Sequence, residues 1–496
     1  MIVCKHDTAV VVLTYNGKDL HQLFFPLLLS ESQGHYDVVL VDNACTDDTA
    51  SVVEQLFPEV SIVRLTVNKG FANGYYEGLK QIQAKYYVLL SADFEVTPQW
   101  FQPLYRLMQQ HTDIAACQPK IKYYKDKSKF EYAGAGGGFI DKWGYLFCRG
   151  RIFFTLEEDH AQYDNTIEVF WASGGCMFVR AEVYHAMGGL DADLYAHMEE
   201  VDLCWRMKNA GHRIAYCGSS TVYHIGGSVI SYGSPQKLFY NYRNSLILLL
   251  KNLATQKLLW MLPFRLCLDG VSGLRCLLKG EFTEVKTIIK AHWSFFLSFN
   301  KWYRKRQASK KLIKQQNEFG IYKNSIIVDY FLKKKHLFTD LPFEEKKHPL
   351  VESIIVSSNM MTSTTLIRVR YGEVDQMGFL YYGNYALYYE VARADMIRNA
   401  GYPYNEMERD GTVMPVVKMN AKFLKPALYE ELIRVETSLL ALHKHPFITF
   451  IHKLYNEQNE LLHIGEVTLT FYDPIAKKRV PMPERLRKIL APYFPS

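Results

Sequence analysis

The sequence predicts an α/β fold for the first half of the chain and a separate α+β domain for its last third. Three observations carry this. Short runs rich in Val, Leu and Ile at 9–14, 37–41, 60–65 and 86–90 alternate with helical stretches at 47–56 and 73–83. That is the pattern of a mostly parallel sheet with helices on both faces. Near the other end, strand-like runs at 413–424, 431–442, 447–455 and 460–472 follow one long amphipathic stretch at 381–399, with Gly401 placed to stop it. Between the two regions, residues 339–365 hold Pro342, a charge run at 344–347, Pro349 and then SSNMMTSTT. Such a composition marks a junction.

The elements follow in order. Gly, Asn and Asp clusters close most strands of the first region, and Asn16, Asp42, Asn68 and Asp93 fall at strand carboxyl ends. Ligands bind there in open α/β sheets. Residues 234–252 read as a helix, and 253–311 mix Leu, Trp and Phe with basic residues, ending in Arg304, Lys305, Arg306, Lys310 and Lys311. Helices with an apolar face and basic flanks can lie on an anionic membrane surface; packing on the preceding domain is the alternative. The resulting division is 1–235, a helical extension over 236–341, a linker over 342–361, and a second domain over 362–496. Met360 and Met361 stand where an independent second chain would begin.

Composition sets limits. The chain has 496 residues, enough for two or three domains, and 48% of them are hydrophobic. A net charge of +7 is modest for this length, and no nucleic-acid-binding motif is present. Nine scattered cysteines form no CxxC pair, so reduced thiols in a cytoplasmic protein are expected. The first apolar run follows charged residues and suits a strand better than a signal peptide. The best membrane-span candidate, 258–268, is broken by Pro263 and Arg265, short of the roughly 18–20 apolar residues a spanning helix needs.

VVLTYN, VDNACTDDT, NKGFANG, SADFE and EEVDLCWR appear in that order. Together they resemble family 2 glycosyltransferases of the GT-A fold, especially the rhamnosyltransferase-like branch, over residues 8–340. The resemblance implies a Rossmann-like nucleotide-sugar domain, a nucleotide-diphosphate sugar as donor, a glycan or lipid-linked acceptor, and a divalent cation, magnesium or manganese. By the same resemblance Asp42 contacts the nucleoside, with Thr14, Tyr15 and Asn16 beside it. Asn68, Lys69 and Gly70 open a loop where backbone can approach the ligand and Lys69 can face phosphate. Asp93 and Glu95 correspond to the family's DxD-like motif, with Glu95 replacing the second Asp. Carboxylates two apart on an extended strand project to one side and supply oxygen ligands to a hard cation. His224 in VYHIGGS matches a family His near the diphosphate or cation. Glu199, Glu200 and Asp202 correspond to the acidic motif that holds the base. Glu200 is the expected base, with Glu199 as runner-up and Asp202 on the acceptor side. An acidic first helical turn would also suit the helix dipole. Trp171, Ser173, Gly174 and Gly175 in FWASGGCMFVR resemble the acceptor-side segment.

RVRYGEVDQMG followed by YYGNYALYYEVAR resembles the 4-hydroxybenzoyl-CoA thioesterase-like hot-dog family over residues 364–494. The resemblance implies a strand, an acidic loop and a long helix that the sheet wraps. Asp375 takes the catalytic carboxylate position, attacking an acyl-CoA thioester or activating water. Backbone N–H groups around Tyr382 and Gly383 would polarise the carbonyl. Several relatives carry His where Tyr382 stands. Glu373 is read as loop surface, and Glu390 and Arg393 as a structural pair. Lys477, Lys478 and Arg479 form a solvated basic tail or meet CoA phosphates. His443, His445 and His463 suit no metal site.

The expectation is a bifunctional fusion of the two enzymes, cytoplasmic or peripheral at the inner face of the plasma membrane, and a homo-oligomer through the hot-dog domain. The alternative is an active transferase with a non-catalytic oligomerisation or acyl-binding module.

Overall fold

The computed structural model describes residues 1–32, 34–131, 134–226, 234–313, 317–343, 361–439, 446–458 and 460–494. The chain divides into two compact units, Met1–Ile354 and Ile355–Ser496.

The first unit is built on β1 (Thr8–Thr14), α1 (Lys18–Ser30), β2 (Asp37–Asp42), α2 (Thr49–Leu56), β3 (Ser61–Arg64), α3 (Phe71–Leu79), β4 (Tyr86–Ser91), β5 (Phe94–Val96), α4 (Phe101–Gln110), β6 (Ile114–Tyr123), β7 (Ile167–Val169), β8 (Cys176–Arg180), α5 (Glu199–Asn209) and β9 (Arg213–His224). The main sheet runs in the order β7-β9-β6-β8-β4-β1-β2-β3, with β5 paired to β9. Strands β4, β1, β2 and β3 are mutually parallel, so their carboxyl ends lie along one edge. β8 enters antiparallel between β4 and β6. β1 is buried along its whole length, which is why its sequence is a continuous apolar run rather than an alternating one. Helix α3 lies close on the sheet because glycine permits it: a Cβ on Gly78 would come 2.8 Å from both methyls of Val41. The helix expected over 73–83 starts earlier and ends at Leu79. Gly70 turns the chain at φ +93° just before it, and Ile82–Gln83 pair with Ile2–Val3 instead of continuing the helix.

Helices α6 (Pro235–Asn252), α7 (Thr255–Leu278), α8 (Phe282–Leu297) and α9 (Phe299–Lys310) follow. The Ser234 hydroxyl accepts a hydrogen bond from Lys237 N at 3.3 Å and caps α6. α7 and α8 form a hairpin, and α6 packs against both and against α9. Phe338 and Leu341 are buried, and Phe343 packs on Phe139 and Tyr322. No helix among the described residues is long and apolar enough to cross a membrane.

The second unit contains β10 (Met361–Arg368), α10 (Tyr385–Asn399), β11 (Val416–Phe423), β12 (Leu432–Leu439), β13 (Phe447–Tyr455) and β14 (Leu461–Thr470). The sheet order is β10-β12-β13-β14-β11, antiparallel throughout. Burial alternates along β10 and β13 with the period of two that one buried face imposes. The buried face lies on α10, where Tyr388, Tyr389, Ala392 and Met396 join Val435, Phe450 and Val467 in one core. This is the hot-dog arrangement. Gly401, at φ +97°, ends the helix region with its N–H on Arg398 O at 2.9 Å.

Candidate functional sites

In the first unit, the parallel order of β1, β2 and β3 brings three strand ends together. Thr14 O accepts the N–H of Asn43 at 3.0 Å. The Asn43 amide donates to Asn68 Oδ1 at 3.1 Å, and Asn68 Oδ1 also accepts the N–H of Gly70 at 2.9 Å. Asn43 thus ties the three loops together, a role that no local motif announced. Asp42 is buried and its Oδ1 accepts the N–H of Cys45 at 2.8 Å. Asn16, at φ 56°, exchanges hydrogen bonds with Thr46. Tyr15 and Lys69 are exposed beside this edge, and the Thr14 hydroxyl is buried without a hydrogen-bond partner.

Asp93 sits in the turn between β4 and β5 rather than on an extended strand. It is buried, with Oδ2 3.2 Å from His224 Nε2. His224 Nδ1 lies 3.2 Å from Glu131 Oε1, and its ring stacks on Phe94 at 4.3 Å. Burial favours the neutral imidazole, but Glu131 and Asp93 outweigh it and push the pKa up to about 10. Both ring nitrogens of His224 are thus engaged by carboxylates. Glu95 lies on β5, and both its oxygens are held by Lys127 at 2.8–2.9 Å. The three residues expected to ligate a cation are therefore not assembled as one ligand set. Asp93 is the one of the three at the strand-end turn, where its carboxylate meets His224. Among the described residues, the only group of three potential ligands within reach of one ion is Cys276, Glu281 and Glu284 in the helical hairpin.

The acidic motif begins α5. The loop before it holds Tyr195, His197 and Met198 at positive φ, 72°, 65° and 70°. Glu199 is buried and Glu200 half-buried, and Oε2 of each is buried without a hydrogen-bond partner. Burial and the neighbouring Glu200 raise the Glu199 pKa well above the usual carboxylate range. Burial raises Glu200 to about 7, against the lowering effect of backbone N–H groups in the first turn. Gly174 backs this pair: a Cβ there would lie 3.1 Å from Glu200 Cβ. Ser173 is buried, its N–H bonded to Gln118 Oε1 at 2.8 Å and its hydroxyl accepting from Gly175 N at 3.3 Å. Trp171 is buried with its indole N–H on Phe139 O at 3.0 Å. Asp202 departs from the expected acceptor side. It is fully buried one turn along α5, with Oδ2 bonded to Arg206 at 2.9 Å and Lys251 at 2.7 Å, and Oδ1 to Asn252 at 3.0 Å. Those bonds occupy both oxygens in tying α5 to α6.

In the second unit, Asp375 Oδ1 accepts the N–H groups of Met377 at 2.8 Å and Phe379 at 3.2 Å. Its other oxygen makes no hydrogen bond among the described residues, and the side chain is half-buried. Tyr382–Asn384 form a tight helical turn that opens α10, where N–H groups lack intrahelical partners. Tyr382 is exposed and packs its ring on Tyr381 at 4.4 Å. Glu373, expected on the loop surface, is buried instead. Arg370 holds its carboxylate, the Tyr388 hydroxyl donates to it at 2.8 Å, and its backbone O accepts from Tyr381 N at 2.8 Å and Asn384 Nδ2 at 2.9 Å. Glu373 therefore fixes the acidic loop to the start of α10. Glu390 and Arg393 pair at 3.8 Å. His463 is buried against Tyr385 and hydrogen-bonded to Tyr389. Lys477, Lys478 and Arg479 are exposed. His443 and His445 lie outside the described residues.

Comparison with known proteins bears on both units. The family model "Glycosyl transferase family 2" matches residues 9–188, and "Thioesterase-like superfamily" matches residues 369–490. The chain is 22% identical over 284 residues, 54% of its length, to 90% of the N-acetylglucosaminyl-diphospho-decaprenol L-rhamnosyltransferase of Mycobacterium tuberculosis (strain CDC 1551 / Oshkosh). It is 25% identical over 120 residues, 24% of its length, to 89% of the acyl-CoA thioester hydrolase YbgC of Escherichia coli O6:H1. It is 42% identical over 78 residues, 16% of its length, to YneP of Bacillus subtilis (strain 168), spanning 56% of that relative. One polypeptide therefore joins a family 2 glycosyl transferase domain to a thioesterase-like superfamily domain of hot-dog fold.

Proposed function

We propose that the first unit transfers a sugar, with inversion, from a nucleotide-diphosphate sugar to a hydroxyl of a glycan or lipid-linked acceptor. The observation that carries this is Glu200, a half-buried carboxyl backed by Gly174 and brought by burial to a pKa of about 7. A base poised near working pH is what proton abstraction needs. Glu200 takes the acceptor hydroxyl proton while that oxygen attacks the anomeric carbon, and the sugar–phosphate bond breaks on the opposite side. The nucleoside lies against Asp42, Thr14, Tyr15 and Asn16, with Asn68, Lys69 and Gly70 toward the diphosphate. Trp171, Ser173, Gly174 and Gly175 support the acceptor side. A divalent cation, magnesium or manganese, held by Asp93 would offset charge on the leaving diphosphate. The decaprenol-linked acceptor in the rhamnosyltransferase relative's name supports a lipid-linked acceptor here, and with it peripheral contact with the inner face of the plasma membrane. The test is a screen of dTDP-, UDP- and GDP-sugars with either metal. Asp93→Ala, or EDTA, should abolish sugar transfer and leave thioester hydrolysis intact; full transfer under either condition overturns the role of Asp93.

We propose that the second unit hydrolyses an acyl-CoA thioester. The free oxygen of Asp375, fixed by the two backbone bonds to its partner oxygen, carries this reading. It attacks the carbonyl or takes a proton from the attacking water, while N–H groups at Tyr382 and Gly383 receive the developing oxyanion. The domain is also proposed to self-associate. β11 is an edge strand of the sheet with Val417, Met419 and Phe423 exposed, and an unpaired apolar edge recruits another strand. Met419→Glu should convert the oligomer to monomer in sedimentation velocity. Hydrolysis of no short, long or aromatic acyl-CoA would leave only the non-catalytic reading.

A further inference from the structure

We infer that the α7–α8 hairpin is a lipid-docking surface that seats the first unit on an anionic bilayer. The inference deepens the peripheral-membrane reading above and rests on it. Its basis is that α7 presents apolar residues on both of its sides. Its buried side carries Leu258, Met261 and Cys276 together with Arg265 and Asp269, ion-paired at 3.0 Å, with Asp269 also 3.1 Å from His292 Nε2. Its exposed side carries Trp260, Phe264, Val271, Leu274 and Leu278, spaced by four, seven, three and four residues, which is one helical face; Trp143 packs beside the first two and the rest of the stripe is open. Leu278 is 80% exposed. A helix that packs on a core and turns its other face to water carries polar residues on that outer face.

α8 continues the surface. Phe282, Ile289, Trp293 and Phe296 recur at the same helical spacing and are exposed, Trp293 by 67%. Two adjacent apolar stripes make a patch of the kind that marks an interaction site.

Charge selects the occupant. Arg275, Lys279, Lys286 and Lys290 flank the stripes, exposed and ion-paired with no carboxylate among the described residues. The exposed positions of α7 include no acid. The acids nearby are Glu281 and Glu284 at the hairpin tip, and Glu284 accepts from Cys276 Sγ at 3.2 Å. Apolar residues with Trp among them, rimmed by Lys and Arg, match the acyl–headgroup boundary of an anionic leaflet. Long basic side chains can reach back to the headgroups while their stems lie on the apolar surface. No described helix spans a bilayer, so the hairpin lies in the interface plane.

The docking has a consequence for the site. α6 packs on α8 and holds the loop before Glu199 through Asn244. The hairpin and the proposed base are thus fixed to one helix, so the bilayer presents a lipid-linked acceptor in a set orientation.

The test is vesicle flotation of the full chain, without sugar donor, on phosphatidylcholine vesicles with or without phosphatidylglycerol. The chain should float with the anionic vesicles and far less with phosphatidylcholine alone. Val271→Glu with Leu274→Glu should lower the bound fraction by roughly tenfold or more, since both apolar burial and charge attraction are lost. Lys286→Glu with Lys290→Glu should lose the preference for anionic lipid. Unchanged melting temperature and thioester hydrolysis would show that the variants fold. A chain that floats with neither vesicle at low salt overturns the inference. So does lipid-free self-association through this face, seen as dissociation of an oligomer by Leu274→Glu. Sugar transfer to a lipid-linked acceptor in detergent without flotation removes only the docking surface. Flotation without transfer leaves docking standing and removes the acceptor reading.

Discussion

Asn244 on α6 donates its side-chain amide to the backbone O of His197 at 2.7 Å, two residues before the acidic pair that opens α5. The same buried amide lies 3.0 Å from Ala196 O and 3.3 Å from Leu194 O. It braces a loop in which Tyr195, His197 and Met198 all adopt positive φ. Non-glycine residues hold such conformations only when their surroundings enforce them. Asn244→Ala should therefore cost roughly 1–3 kcal/mol by stranding buried carbonyls, and should lower turnover more than donor affinity. Asn244→Asp, which keeps the size but removes the donors, should behave alike. Nucleotide titration beside turnover measurements separates the two effects; a matched fall in both would make Asn244 a general stability residue.

The Glu199–Glu200 pair fixes a pH dependence. Burial and the neighbouring Glu200 raise the Glu199 pKa well above the usual carboxylate range, while burial raises Glu200 to about 7. The base acts when deprotonated, so sugar transfer should rise with pH through about 7, as a property of the pair. Glu200→Gln should cut turnover by about 10²–10⁴ with donor binding retained. Glu199→Gln should be milder, since Glu199 is buried while Glu200 is the half-buried member of the pair. A severe Glu199→Gln and a mild Glu200→Gln would reverse the assignment.

How far the sequence could be read depended on how local each cause was. The β1 and β2 strands were legible because full burial demands continuous Val and Leu. The placement of Asp42 at a strand end followed from the same pattern, whereas Asn68 lies in the loop beyond β3, which stops at Arg64. Glu95 misled because the two-residue spacing argument assumes extended backbone, and Asp93 lies in a turn. Asp202 misled because its partners, Lys251 and Asn252, come from a helix about fifty residues on. Asn43, Glu131 and Asn244 were missed for the same reason: their contacts are long-range. Residues 253–311 read as helical with an apolar face, but only the fold showed that α7 also carries an apolar stripe on its outer face.

The candidate site of the second unit gives a cleaner contrast between side chain and backbone. Asp375→Asn should remove most acyl-CoA hydrolysis, because an amide neither attacks nor takes a proton well. The turn should survive, since the amide oxygen still accepts from Met377 and Phe379 N–H. Tyr382→Ala should be milder: the exposed phenol goes, while the N–H proposed to receive the oxyanion stays. Steady-state hydrolysis of a short, a long and an aromatic acyl-CoA would check both. A strong Tyr382→Ala defect in a normally folded protein would instead assign the phenol a part in the chemistry.

Gly465 on β14 supplies the last test, of packing rather than chemistry. Tyr389 of α10 lies so close over it that a Cβ at 465 would fall 2.3 Å from the Tyr389 ring carbon Cζ and 2.6 Å from its hydroxyl. The ring cannot easily retreat. It stacks on His452 at 4.9 Å, its hydroxyl is bonded to His463, and the cluster belongs to the buried core that joins helix to sheet. Gly465→Ala should thus force α10 off the sheet or break the Tyr389–His463 bond, costing about 1–3 kcal/mol by overpacking. Tyr389→Phe in the same background should recover part of that loss, since it removes the hydroxyl that meets the new methyl. Thermal denaturation followed by acyl-CoA hydrolysis would report on the second unit, and sugar transfer by the same protein should be unchanged at temperatures below the transition. An unaltered hydrolysis transition in Gly465→Ala would mean that α10 does not sit on the sheet as tightly as described.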